Sequence, residues 1–227
     1  MNHFGAVKAC VFDAYGTLFD LGDLTRAAVP TLGRQRADAL NALWRRKQLD
    51  YSWLRSLIGR HTDFWHVTGE SLDHAMLALD VADPLLRARL MEAWLTPPPF
   101  ADVVEGLGAV RAAGLRTAIL SNGSVAMLTG AVGAAGIQRL LDAVISVEPA
   151  GVFKPHPAVY ALAVDRLDLP PGEIAFVTAN GWDAAGAAAF GFKVAWLNRQ
   201  GAAPEMLPAG PKAEFRSLAE LAPLLRP

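Results

Sequence analysis

Two textures of hydrophobic patterning divide the chain. From about residue 20 to 96, apolar positions recur every three or four residues, as on one face of a helix: Ala37, Leu40, Leu43 and Trp44, then Leu49, Trp53, Leu54 and Leu57. That spacing predicts a long helix over 34–58, stopped by Gly59. Two more helices are predicted over 70–79 and 84–95, the second with Pro84 in its first turn, where a missing N–H costs nothing. Asp23 and Thr25 stand where they can cap an opening helix. Pro97, Pro98 and Pro99 then stop helix formation and make a semi-rigid joint.

Beyond that joint, helical stretches alternate with short apolar runs at 115–120, 143–147, 174–178 and 193–197, and one further run, 7–12, precedes the helical block. Strands alternating with helices of about 10–15 residues imply a mostly parallel sheet covered on both faces. The expected architecture is therefore α/β: a Rossmann-like parallel-sheet core from residues 1–16 and 97–227, with an inserted helical cap domain at 17–96. Because the insertion leaves the core just after the first strand, it must lie over the carboxyl ends of the strands, where open α/β sheets bind their ligands. A helical lid there excludes water from a small pocket. The Ala- and Gly-rich stretches 130–136 and 184–190 are expected to mark close helix–sheet packing.

Composition narrows the class. Of 227 residues, 52% are hydrophobic and 19% charged, which excludes disorder, and a net charge of −1 gives no sign of a nucleic-acid or membrane-surface partner. The single cysteine, Cys10, falls in the first strand and reads as a buried, inert thiol in a reducing compartment. No run reaches the roughly 18 apolar residues of a membrane span, and no apolar leader precedes the first strand, so a cytoplasmic protein is expected.

The chemistry begins at Asp13, a carboxylate at the end of the first strand, followed by a turn with Gly16 and Thr17. A free aspartate is ionised at neutral pH and needs no base to act as a nucleophile. Further on, one strand ends in Ser121, Asn122 and Gly123, Lys154 precedes Pro155, and Thr178, Asn180, Trp182 and Asp183 close a fourth strand. In this order the motifs resemble the haloacid dehalogenase superfamily, whose first motif is Asp-x-x-x-Thr. Phosphatases of that superfamily carry a second Asp two residues after the nucleophile, where this chain has Tyr15, and a metal-binding acid where it has Ala179. Those departures narrow the resemblance to the L-2-haloacid dehalogenases and imply a site without a metal or other cofactor, since Mg²⁺ prefers carboxylate-rich coordination.

The resemblance implies the remaining roles. Asp13 attacks carbon and forms an ester, with Thr17 holding it. Lys154 keeps Asp13 ionised, while Asp183 pairs with Lys154 and orients or activates the hydrolytic water. Thr178 belongs to the same polar network, Asn180 binds nearby, and Tyr160 matches a site tyrosine that serves as a hydrogen-bond partner. Ser121 and the N–H groups near Ala14 and Tyr15 bind the substrate carboxylate. Arg45, on the cap, receives the halide with Asn122, and Tyr15, Leu49, Phe64 and Trp182 line an apolar pocket. The implied reaction is hydrolysis of short L-2-haloacids, haloacetates included, to D-2-hydroxyacids with inversion. A small-molecule phosphatase is the alternative. The expected partner is the small 2-haloacid itself, and the resemblance allows a homodimer.

Overall fold

The computed structural model of the protein describes residues 4–22 and 24–225. Its centre is a parallel sheet of six strands in the order β3-β2-β1-β4-β5-β6: β1 (Ala9–Phe12), β2 (Arg116–Ser121), β3 (Ala143–Ser146), β4 (Ile174–Thr178), β5 (Lys193–Leu197) and β6 (Ala213–Phe215). Strands β1 and β4 are buried along their whole length. Helices on both faces demand such near-continuous apolar strands. The expected runs match these strands to within two residues, except that β6 was not anticipated. Its three residues pair only with β5, which is too short an apolar signal to read from sequence.

Strand order reverses between β2-β1 and β4-β5, so the carboxyl ends of β1 and β4 flank the crevice where this topology places a ligand. Asp13 directly follows β1, and Thr178 ends β4. The helical segment enters after β1 through the 3₁₀ turn Arg26–Ala28 and consists of α1 (Val29–Leu32), α2 (Arg34–Leu57), α3 (Phe64–Ala78) and α4 (Pro84–Ala93). Helix α3 begins six residues before its expected start, because the Asp63 side chain accepts the His66 N–H and caps it. Thr25 makes no side-chain cap, and Asp23 lies outside the described residues.

The two connections between helical segment and core run side by side. The Asp20 N–H donates to Pro98 O (2.8 Å), the Phe100 N–H donates to Leu18 O (3.0 Å), and Phe19 pairs antiparallel with Pro99. Pro98 and Pro99 therefore lie in one strand of a two-stranded ribbon. After them come α5 (Val103–Ala112), α6 (Val125–Ala135), α7 (Pro157–Leu167), α8 (Gly181–Phe190) and α9 (Leu221–Leu225).

Trp44 of α2 and Trp94, just past α4, are fully buried and meet edge-on at 5.8 Å. The Trp44 indole N–H donates to Thr68 O of α3, which fixes the packing of these helices. Cys10 is buried as expected. The Ala/Gly-rich stretches lie on α6 and α8, which pack on the sheet as expected, α6 against β3 and α8 against β4 and β5. A Cβ on Gly130 would lie 2.7 Å from the Leu95 carbonyl oxygen, and one on Gly186 would lie 2.5 Å from Pro155 Cβ. These glycines also admit the segment returning from the helices and the Lys154–Pro155 turn.

Gly130→Ala tests that close approach. Because the opposing atom is backbone, the substitution is expected to destabilise the protein by about 1–3 kcal/mol in urea unfolding, as overpacked sites do.

Candidate active site

Asp13 is held by three donors. The Lys154 ammonium lies 3.0 Å from its Oδ1, while the Thr17 hydroxyl (2.9 Å) and the Asn180 amide (3.0 Å) both donate to its Oδ2. The Thr17 hydroxyl is itself aimed, because Thr17 Oγ1 accepts the Ala179 N–H at 2.9 Å and so turns its own proton toward Asp13. An ionised carboxylate offers about four lone-pair positions. Two are used on Oδ2 and one on Oδ1, which leaves a lone pair on Oδ1.

Lys154 is fully buried between two carboxylates, with Asp183 Oδ2 at 2.9 Å on the other side. Burial pulls its pKa down, but Asp13 and Asp183 together outweigh that and hold it above the ordinary lysine range. Asp183 is fully buried too, and burial raises its pKa even though Lys154 lowers it. The second Asp183 oxygen accepts the Tyr160 hydroxyl at 2.8 Å. Burial first, then Asp183, pushes the Tyr160 phenol far above its usual value, so it remains a donor.

These contacts bear on three expectations. Asp183 pairs with Lys154 as expected, and each of its oxygens carries one side-chain bond, from Lys154 on one and from Tyr160 on the other, which leaves a lone pair on each. Tyr160 is a hydrogen-bond partner as expected, donating to Asp183, and its ring packs on Phe176, Phe190 and Phe192. The Thr178 hydroxyl accepts the Asn180 N–H at 3.1 Å, a local turn that sets Asn180 in place, and it makes no bond to Lys154 or Asp183.

On the far side of Asp13, the Ser121 hydroxyl oxygen accepts the Gly123 N–H (3.1 Å) and keeps its own proton to donate. The Asn122 amide oxygen accepts the Lys154 N–H (2.9 Å), so only its NH₂ end is left for an anion. Ala14 O accepts the N–H groups of Thr17, Leu18 and Phe19, while the Ala14 and Tyr15 N–H groups have no acceptor among the described residues.

Arg45 reaches over from α2. Its guanidinium donates to Gln48 Oε1 and lies 4.9 Å from the centre of the Trp94 ring. Burial lowers its pKa to about 10 against the upward pull of Asp13, so it stays cationic at neutral pH. Its charge thus acts on the nucleophile's. A cleft of about 540 Å³, lined by Gly16, Asn41, Arg45, Ala179 and Asn180 among others, opens beside them.

The four expected pocket residues do not share that cleft. Tyr15 is nearly closed off, 5.2 Å from the Trp94 ring, with burial and then Asp13 raising its hydroxyl pKa. Phe64 packs on Phe153 beside Lys154. Leu49 is half-buried on α2, and Trp182 meets Trp53 of α2 edge-on at 5.4 Å.

Two residues escaped the sequence reading. Gln48 is buried, accepts from Arg45 and donates to Thr68 Oγ1 at 2.7 Å. Its signal was present, since a polar residue three positions after Arg45 shares its helix face. Trp94, which supports both Arg45 and Tyr15, carried no separable signal within an apolar helix. Among the described residues, no group of three or more His, Cys, Asp or Glu side chains is arranged to hold a metal ion.

Comparison with known proteins matches this arrangement. The model of haloacid dehalogenase-like hydrolases fits residues 7–191. The chain is 44% identical over 220 residues to (S)-2-haloacid dehalogenase 1 of Pseudomonas sp. (strain CBS-3), covering 96% of each chain. It is 38% identical over 197 residues to haloacetate dehalogenase H-2 of Moraxella sp. (strain B), covering 86% of this chain and 87% of that one. It superposes with a TM-score of 0.90, at 37% identity, on the L-2-haloacid dehalogenase of Xanthobacter autotrophicus with chloropropionic acid covalently bound, covering 96% and 98% of the two chains. With its motifs, fold and relatives in agreement, the chain belongs to the haloacid dehalogenase-like hydrolase family.

Proposed function

We propose that this hydrolase cleaves the carbon–halogen bond of short L-2-haloacids through an ester on Asp13, and that the product is the D-2-hydroxyacid. The observation that carries the reading is the bonding of Asp13. Its Oδ2 is saturated by Thr17 and Asn180, and its Oδ1 keeps one free lone pair. Oδ1 attacks C2 from behind the halogen, and the halide departs toward Arg45 and the Asn122 amide. A guanidinium lying on an aromatic face suits a diffuse anion better than a hydrated ammonium does. Ser121 and the Ala14 and Tyr15 N–H groups hold the substrate carboxylate.

The second half-reaction uses the same contacts. Water attacks the Asp13 carboxyl carbon, and Oδ2 becomes an oxyanion already facing the Thr17 hydroxyl and the Asn180 amide. Donors fixed in advance at such an oxygen are worth about 2.7–4 kcal/mol each in other hydrolases. The C–Oδ1 bond then breaks and Lys154, already on Oδ1, stabilises the departing alkoxide; one proton of the attacking water goes to that alkoxide and the other to solvent, which leaves Asp13 ionised again. The oxygen delivered to C2 is Asp13's own, so one inversion occurs at C2. A phosphatase needs a protonating acid for its leaving group. Tyr15 stands in that place, with its hydroxyl pushed far from acid strength.

Asp13→Asn tests the nucleophile, because a neutral amide cannot attack carbon in this way. Halide release from (S)-2-chloropropionate is expected to vanish, and retained turnover would overturn the covalent route. Halide release by the unaltered enzyme is expected to persist in excess chelator.

Lys154→Met leaves two carboxylates buried together. It should cost about 3–5 kcal/mol at pH 7, as broken buried pairs do. Without the cation the folded-state Asp183 pKa, already raised by burial, rises further, so the folded form binds more protons than the unfolded one and the deficit shrinks as pH falls. Urea unfolding at two pH values reads this directly.

Tyr160→Phe removes a donor that lowers the Asp183 pKa. Asp183 must be ionised to hold Lys154, so the acid limb of the kcat profile should move to higher pH. An unmoved limb would separate Asp183 ionisation from turnover.

A further inference from the structure

Arg199, in the loop after β5, reaches the core end of the ribbon that joins the core to the helical segment. Its guanidinium binds both oxygens of Asp102 (2.8 and 2.9 Å), donates to the Thr17 carbonyl (3.1 Å) and lies 4.0 Å from the centre of the Phe100 ring. Thr17 lies in the turn just before the outgoing strand, Phe100 ends the return strand, and Asp102 is the residue from which α5 starts. The Arg199–Asp102 pair is itself largely buried, with side chains only 16% and 18% exposed. Asp102 is further fixed by the Ser217 hydroxyl and the Leu218 N–H, both at 2.9 Å. Burial raises the Asp102 pKa, but Arg199, Leu218 and Ser217 outweigh it and hold it below the usual carboxylate range.

We infer that Arg199 is a positioning residue for dehalogenation: its fork on Asp102 and Thr17 sets the ribbon so that Asp13, on the core, and Arg45, on α2, face the same carbon from opposite sides. The link to the nucleophile is short. Arg199 holds the Thr17 carbonyl, and the Thr17 hydroxyl holds Asp13 Oδ2. The link to the halide side runs through the ribbon to the helices that carry Arg45. Arg199 also lines the cleft beside Arg45 and Asn180. An in-line displacement needs nucleophile, carbon and leaving group aligned, and a misplacement of about 1 Å can cost 10²-fold. A lysine carries the charge but cannot span two carboxylate oxygens and a carbonyl at once.

This inference rests on the dehalogenase reading, and the experiment keeps the two apart. Halide release from (S)-2-chloropropionate is measured for the unaltered enzyme, Arg199→Met, Arg199→Lys, Arg45→Gln and the Arg199→Met/Arg45→Gln double variant, with thermal midpoints alongside. Arg199→Met should lower kcat by about 10- to 100-fold. KM should move far less, and Arg199→Lys should recover part of the loss. In the Arg45→Gln background the same change should cost clearly less, because the alignment it protects is already spoiled. Should Arg199→Met fail to fold, Asp102→Asn carries the same comparison, since an amide oxygen can still accept from Ser217 and Leu218. Equal fold-losses in both backgrounds, or unchanged kcat in Arg199→Met, would overturn the inference alone. An unaltered enzyme that releases no halide would overturn the dehalogenase reading and this inference with it.

Discussion

The buried ammonium of Lys154, shared between Asp13 and Asp183, is the interaction on which the rest of the site depends. An isolated buried charge is far too costly to keep, and two buried carboxylates without a cation would take up protons instead. Together the three groups carry a net single negative charge, which the nearby guanidinium of Arg45 offsets. The arrangement is a poor source of stability, because desolvation cancels much of its Coulombic gain. Its value is chemical. It keeps a carboxylate ionised and fixed in a nearly dry place, where a nucleophile would otherwise be protonated or solvated.

The fold supplies that place through three separate strand ends. Asp13 comes from β1, the Ser121 and Asn122 pair from β2, and the turn with Asn180 from β4, and these strands are neighbours in the sheet. The Asn122 amide receives the Lys154 N–H, so the β2 end also sets the backbone that carries the cation. Arg45 comes from outside the sheet, on a helix tied to the core by a two-stranded ribbon. The two charges that must act on opposite sides of one carbon therefore belong to different parts of the molecule. Alignment between them depends on how firmly the ribbon is held.

Much of this could be read from residue order, because the chemistry sits at strand ends and those are bounded by apolar runs and turn residues. Asp13, Ser121, Lys154 and Asp183 each stand at such a boundary. Arg45 was identified only through family resemblance, since three adjacent cations on a helix otherwise read as a solvated face. What escaped the sequence depends on contacts between distant segments. Nothing local tells that Tyr160 meets Asp183 at 23 residues' remove, or that Arg199 meets Asp102 at 97. Thr178 was assigned to the ionic network because its position suggested it, whereas its hydroxyl oxygen accepts the Asn180 N–H two residues away. The early start of α3 was hidden because Asp63 is one of many polar residues before an apolar stretch, and only its bond to His66 marks it as the cap.

The central claim concerns the route of a single oxygen atom. One turnover of excess enzyme with (S)-2-chloropropionate in ¹⁸O-water, followed by mass spectrometry of the product and of the peptide containing Asp13, follows that atom. Transfer from the Asp13 carboxylate predicts an unlabelled hydroxyacid and one heavy oxygen left in the peptide. Label in the hydroxyacid with none in Asp13 would mean that water attacks carbon directly, and the account would fail.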